Sequence, residues 1–218
     1  ALIENRYPGI AVFDFDRDGD MDFYVTSAEI TALFQITRGG TNKFFENLEN
    51  NEFAEIGSKT NTELAAQNSS AVAACDFNND GFQDLYVGGH GRIGDGLDYR
   101  SIDNNPNSLE ASLDRLLINS GTGIFEDVTA QAFGESANLR STMSISCADV
   151  NNDGWIDIFV GNRADQDFVR FDDARHHGHY NNLYLNNGDL TFTDITLESG
   201  LLSPQIKMLD ENLQPIIF

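Results

Sequence analysis

Side-chain oxygens recur at one fixed spacing three times along this chain. Asp14, Asp16, Asp18, Asp20 and Asp22 form the first set. Asp76, Asn78, Asp80 and Asp84, with Phe82 among them, form the second, and Asp149, Asn151, Asp153 and Asp157, with Trp155, form the third. Counting the leading Asp as position 1, a glycine stands at position 6 each time (Gly19, Gly81, Gly154). A turn there brings the backbone carbonyl of position 7 (Asp20, Phe82 or Trp155) round to join the side-chain oxygens of positions 1, 3, 5 and 9. Hard oxygen donors in this number, without thiolate or imidazole, suit a divalent cation of calcium's size. The expectation is three structural Ca²⁺ sites. Replacing Asp80, Asp84 or Asp153 by Ala is then expected to lower the melting temperature in calcium and to leave a calcium-free baseline unchanged.

The elements that hold these loops are strands. A helix-loop-helix calcium site needs a bidentate Glu at position 12, and here position 12 is Val25, Val87 and Val160. The residues leaving the loops, Phe23-Tyr24-Val25, Leu85-Tyr86-Val87 and Ile158-Phe159-Val160, are β-formers. Short small or apolar runs enter them: Ile10–Phe13, Ala71–Cys75 and Met143–Cys147. A second motif follows each loop. Asn47, Asn119 and Asn186 each stand six residues before Phe53, Phe125 and Phe192, with an acid two residues further on (Glu55, Asp127, Asp194). Asn-Ser-Gly at 119–121 and Asn-Asn-Gly at 186–188 tolerate the positive φ of a hairpin turn.

Each repeat therefore carries four strands, and the expected fold class is all-β. Tandem four-stranded antiparallel units of this length are the signature of a β-propeller. The expected blades span about 1–62, 63–135 and 136–202, followed by a tail, 203–218, that is a linker, the start of another blade, or a strand donated to a neighbour. Closed propellers use about four to eight blades, so three units imply an open or incomplete ring that something else must complete. Ala1 is not an initiator Met, which fits a processed product, a fragment or part of a longer sequence.

With both motifs in phase, the chain resembles the FG-GAP/VCBS repeats of integrin-type propellers, and most nearly their bacterial and cartilage-acidic-protein-like form. Asn182-Leu-Tyr-Leu-Asn-Asn-Gly188 and Phe192-Thr-Asp-Ile-Thr196 carry the hairpin motif most fully, whereas Asn47-Leu-Glu-Asn50 lacks the turn glycine. The resemblance covers Gly9 to about Leu202. It implies a ligand face on the edge away from the calcium loops, where the connections 26–42, 88–114 and 161–181 differ in length and content.

Charge and location point the same way. With 35 Asp and Glu against 13 Lys and Arg, the net charge is −22, which argues against nucleic acid and anionic membranes as partners. No apolar run is long enough to span a membrane. Calcium is millimolar outside cells, and extracellular calcium modules bind it with Kd of roughly 10⁻⁴ to 10⁻³ M, so a secreted or cell-surface location is expected. No nucleophile elbow or His-Glu-x-x-His is present, and the chain is expected to be non-enzymatic. Its expected work is adhesion or protein interaction, through a protein or glycan ligand. The alternatives are a self-assembling extracellular structural protein, as homo-oligomer or polymer, and a carbohydrate-binding propeller or appendage of a carbohydrate-active enzyme. His176, His177 and His179 form the one imidazole cluster, and Asn68-Ser69-Ser70 the one glycosylation sequon. Cys75 and Cys147 stand one and two residues before their loops, so their side chains point to opposite faces of equivalent strands. That placement favours two small buried residues over a disulfide.

Overall fold

Alternation of apolar and polar residues either side of each acidic loop produces three sheets of the same design. The computed structural model describes residues 4–5, 8–27, 29–30, 41–48, 50, 52–65, 67, 69–89, 113–138, 140, 142–162 and 181–201. Blade one is ordered β2 (Ile10–Phe13), β3 (Asp22–Val25), β5 (Lys43–Asn47), β6 (Phe53–Glu55). Blade two is β7 (Ser69–Cys75), β8 (Asp84–Gly89), β9 (Arg115–Asn119), β10 (Phe125–Asp127), and blade three is β11 (Thr142–Ala148), β12 (Asp157–Asn162), β13 (Asn182–Asn186), β14 (Phe192–Asp194). Every neighbouring pair is antiparallel, so each sheet is a simple meander. The arrangement is an open, all-β, propeller-like fold.

The described elements include some that periodicity did not signal. A two-stranded ribbon joins β1 (Glu4–Asn5) to β4 (Glu29–Ile30). Short helices, Gly57–Thr60 and Thr129–Phe133, follow the fourth strands of blades one and two. The hairpin turns use positive φ at Gly121 and Gly188, and in blade one at Asn50, which supplies the left-handed residue where the motif's glycine is missing.

Hydrophobic burial occurs between sheets, giving two cores. Phe13, Phe15, Tyr24 and Phe44 of blade one pack with Leu85, Val87, Leu117 and Phe125 of blade two. On its other face blade two presents Phe77, Tyr86, Leu116 and Phe133 to Ile158, Val160, Tyr184 and Phe192 of blade three. Covered on both sides, β8 is buried along its whole length, whereas β2 alternates between exposed and buried. Alternation along one strand thus sends successive side chains to different neighbouring blades.

The cysteines correct the sequence-based expectation. Cys75 and Cys147 are half-buried and joined by a disulfide, with Cα atoms 6.7 Å apart. Their side chains do leave opposite faces of equivalent strands, but in stacked sheets the forward face of one blade meets the rear face of the next. Opposite facing is the condition that lets them bond.

The connections 31–40, 90–112 and 163–180, the histidines 176, 177 and 179, Asn68 and the tail from 202 lie outside the described residues.

Candidate metal centre

Each acidic loop is built from backbone amides turned toward carboxylates. Asp14 Oδ2 accepts from Gly19 N–H at 3.1 Å; Asp76 Oδ2 accepts from Gly81 and Asp149 Oδ2 from Gly154, both at 2.9 Å. Position 5 accepts from the N–H of position 7 in all three loops: Asp18 from Asp20 at 3.0 Å, Asp80 from Phe82 and Asp153 from Trp155 at 2.8 Å. Positive φ at position 4 (Arg17, Asn79, Asn152) and at the position-6 glycines winds the chain tightly enough for this. In blades two and three the turn is further fixed from the hairpin side. A Cβ on Gly121 would lie 2.4 Å from the Phe82 ring, and one on Gly188 2.7 Å from the Trp155 indole. The sequence pattern assigned Phe82 and Trp155 only a backbone carbonyl; their side chains also seat the neighbouring turn.

The ligand positions converge most plainly in the first loop. One carboxylate oxygen from each of Asp14, Asp16 and Asp18 lies within 4.8 Å of the others. Asp14 Oδ1 is buried and accepts no hydrogen bond among the described residues. A buried, unpartnered carboxylate oxygen beside two more carboxylates is costly by itself and is relieved by a cation, so the donor set fits calcium. In the other two loops position 3 is an amide. Asn78 Nδ2 donates to Asp80 Oδ2 at 2.9 Å and Asn151 Nδ2 to Asp153 Oδ2 at 2.7 Å. Rotation of the carboxamide would turn its oxygen inward as a ligand.

Position 9 has a second duty. Asp22, Asp84 and Asp157 are buried. In each, Oδ2 accepts the N–H of position 2 (Phe15, Phe77, Val150) at 2.9–3.0 Å, and Oδ1 accepts the N–H of the hairpin Asn (47, 119, 186) at 2.8–2.9 Å. One carboxylate thus clamps the loop to the hairpin of its own blade while its remaining lone pairs face the loop. Burial, reinforced by the nearby loop carboxylates, pushes Asp22 up to about 6 and Asp84 up to about 7, although the two backbone donors oppose it. A divalent ion held by the loop would favour the ionised forms.

Neighbouring loops touch along one edge. Arg17 stacks over the Phe82 ring at 5.3 Å, and Asn79 Nδ2 donates to the Gly154 carbonyl at 3.0 Å. The hairpin asparagines join blades directly: Asn119 Nδ2 donates to Phe15 O of blade one at 2.7 Å, and Asn186 Nδ2 to Phe77 O of blade two at 2.8 Å. Spacing marked these asparagines as turn residues; their partners, more than a hundred positions away, gave no local signal.

The far edge of the blades carries a different junction. Asn42 Nδ2 donates to Tyr24 Oη at 2.9 Å and to Ser69 Oγ of blade two at 3.1 Å. At the equivalent place Asp114 accepts from Gly89 N–H at 2.7 Å, Asn138 Nδ2 at 2.9 Å, Tyr86 Oη at 3.1 Å and Thr142 Oγ1 of blade three at 2.8 Å. Burial drives the Asp114 carboxyl up to about 7 in spite of those donors.

Tandem four-stranded meanders with an acidic loop between their first two strands define an FG-GAP-type propeller repeat protein. The chain belongs to the FG-GAP-like repeat family, which matches residues 28–87 and 95–160, more than half of its length. Each match runs through one blade's hairpin into the next blade's loop and second strand, so the matched unit spans a junction between sheets. Among known proteins it is 25% identical over 140 residues to cartilage acidic protein 1 of Xenopus tropicalis, an overlap covering 64% of this chain and 18% of that relative. The chain accordingly spans a small part of the relative's length. At family level these repeats point to an extracellular adhesion or protein-interaction module, and the family is generally non-enzymatic. Among the described residues no helix is long and apolar enough to cross a membrane.

Proposed function

We propose that this chain is a non-catalytic, extracellular interaction module whose three acidic loops take up Ca²⁺ as a structural ion. The observation that carries the reading is the first loop, where a buried Asp14 oxygen without a hydrogen-bond partner among the described residues sits beside Asp16 and Asp18. Asp14, Asp16, Asp18 and Asp22, with the Asp20 carbonyl, hold the first ion. Asp76, Asn78, Asp80, Asp84 and the Phe82 carbonyl hold the second, and Asp149, Asn151, Asp153, Asp157 and the Trp155 carbonyl the third. When bound, calcium supplies positive charge that cancels repulsion among the carboxylates. The protein's own groups fix the loop: position 9 ties it to the hairpin, and the position-1 and position-5 carboxylates hold backbone amides in the turn. At calcium about ten times its Kd, each site stabilises the folded chain by about 1.4 kcal/mol. The adhesive partner, a protein or glycan, is assigned to the edge opposite the loops.

The test is thermal melting of the wild type and of Asp80→Ala in millimolar calcium and in chelator. Calcium should raise the wild-type transition by several degrees, and Asp80→Ala should lose part of that rise while differing from the wild type far less in chelator, where only exposed hydrogen bonds are lost. Identical melting of the wild type in both conditions would sink the calcium reading.

A further inference from the structure

We infer that the Asp114 side chain makes the hold of blade two on blade three responsive to pH, a property that the junction of blades one and two lacks. One staple recurs at the edge opposite the loops. In each blade the residue just before the third strand (Asn42, Asp114 or Asn181) accepts the backbone N–H of position 14 (Ser27, Gly89 or Asn162) at 2.7–3.0 Å. That bond ties together the two ends of the connection between the second and third strands. Asn42 and Asp114 also reach the next blade, through the hydroxyls of Ser69 and Thr142. Two of the three staples are neutral amides. The staple of blade two is a carboxyl group, 1% exposed.

The groups around Asp114 accommodate a proton. Thr142 Oγ1 lies 2.8 and 2.9 Å from the two Asp114 oxygens and 3.4 Å from Asn162 Oδ1. A hydroxyl accepts as well as donates, so Thr142 donates to an ionised Asp114 and, turned toward Asn162, accepts from a protonated one. Loss of the proton leaves a charge that no cation balances, because no basic group bonds Asp114 among the described residues. Arg115 of β9 pairs with Asp127 of β10 at 3.3 Å, and Arg140 of the crossover bonds Asn182. The remaining ionisable groups on the surrounding elements are the Tyr86 phenol of β8, kept protonated by burial, and Tyr184 of β13 and Asp194 of β14, which act on that phenol. Thr142 of β11 and Asn162 of β12 are neutral. A buried carboxylate without a cation is costly, and burial accordingly raises the Asp114 carboxyl to about 7 against its four donors. The protonated acid is the counterpart of the neutral Asn42 amide. The ionised form instead places an unbalanced charge between blades two and three, so this junction loosens as pH rises through neutrality while the first does not. The inference depends neither on the calcium sites nor on the identity of the adhesive partner.

The experiment is amide hydrogen exchange of the full chain in saturating calcium, from about pH 5.5 to about 8.5, expressed as protection factors so that the intrinsic pH dependence of exchange drops out. The N–H groups of Gly89 and Asp114 report the second junction, and those of Ser27 and Asn42 the first. Above neutrality, protection at Gly89 and Asp114 should fall about tenfold per pH unit at most, relative to Ser27 and Asn42. Asp114→Asn, which places the blade-one amide in the second junction, should hold that ratio constant. Carboxyl-carbon NMR of the wild type should show Asp114 titrating near neutrality. Equal pH dependence at the two junctions of the wild type overturns the proposal. So does an Asp114 carboxyl that titrates in the ordinary carboxylate range, or a pH-dependent ratio that persists in Asp114→Asn.

Discussion

The junction between blades one and two and the junction between blades two and three follow one plan with different chemistry. The first is closed by neutral groups, with Phe44 packed against Phe13, Phe15, Tyr24 and Phe125 at centroid distances of 4.9–5.9 Å and the Asn42 amide bonded to Ser69. The second adds a covalent link, Cys75–Cys147, and replaces the amide by the Asp114 carboxylate. Identical sheets can thus be coupled through junctions that answer to different conditions. The first should respond to packing alone, and the second also to reductant and to pH.

The largest effect is expected at the first junction. Phe44 is fully buried, and Phe44→Ala should cost about 3–5 kcal/mol whether or not reductant is present, as urea unfolding would measure. Comparable loss from an exposed aromatic such as Phe53 would break the contrast between covered and open faces.

At the second junction, Cys75→Ser with Cys147→Ser should lower stability by about 4 kcal/mol, the chain-entropy value for a link closing a 72-residue separation. Reduction of the wild type should do the same, and should make the amides of β11 exchange before those of β3.

Asp114 sharpens the comparison through pH. Its folded pKa, about 7, lies above the ordinary carboxylate value, so the folded state holds a proton that the unfolded chain has released. Its contribution is fully present below about pH 4 and is lost as pH rises through 7, at up to about 1.4 kcal/mol per pH unit. Asp114→Asn places the blade-one amide in the second junction. It should flatten the fall in melting temperature between pH 4 and 7 relative to wild type at saturating calcium. An unchanged slope would show that Asp114 does not titrate in this range.

Smaller effects separate residues that look alike in sequence. Asn119→Ala breaks a blade-to-blade hydrogen bond and should cost about 1–2 kcal/mol, whereas Asn47→Ala, whose side chain makes only a long contact inside its own blade among the described residues, should cost less. Asp84→Ala should destabilise the chain even in chelator, because two buried N–H groups lose their acceptor. Asp80→Ala should do so far less, because the donors that lose its carboxylate are exposed to water.

That last contrast revises an expectation drawn from spacing, which treated Asp80, Asp84 and Asp153 as equivalent. Local pattern conveyed the loops, the strands flanking them and the hairpins, because each is dictated by residues within about ten positions. It did not convey what happens between sheets. The Cys75–Cys147 bond, the Asn119 and Asn186 contacts and the Asp114 cluster all join one blade to the next, and only stacking brings them together. Phe133 belongs to the second core through a five-residue helix, too short for a helical period to be visible. The Asp22, Asp84 and Asp157 clamps were hidden for another reason: ligand and clamp need the same residue type at the same place.

The central claim is that three loops hold three calcium ions. Calorimetric titration of calcium into the decalcified chain at neutral pH tests it most directly. The account predicts three ions per chain with dissociation constants of roughly 10⁻⁴ to 10⁻³ M, falling to two in Asp80→Ala. No binding at millimolar calcium, or full binding that survives Asp80→Ala, would contradict it.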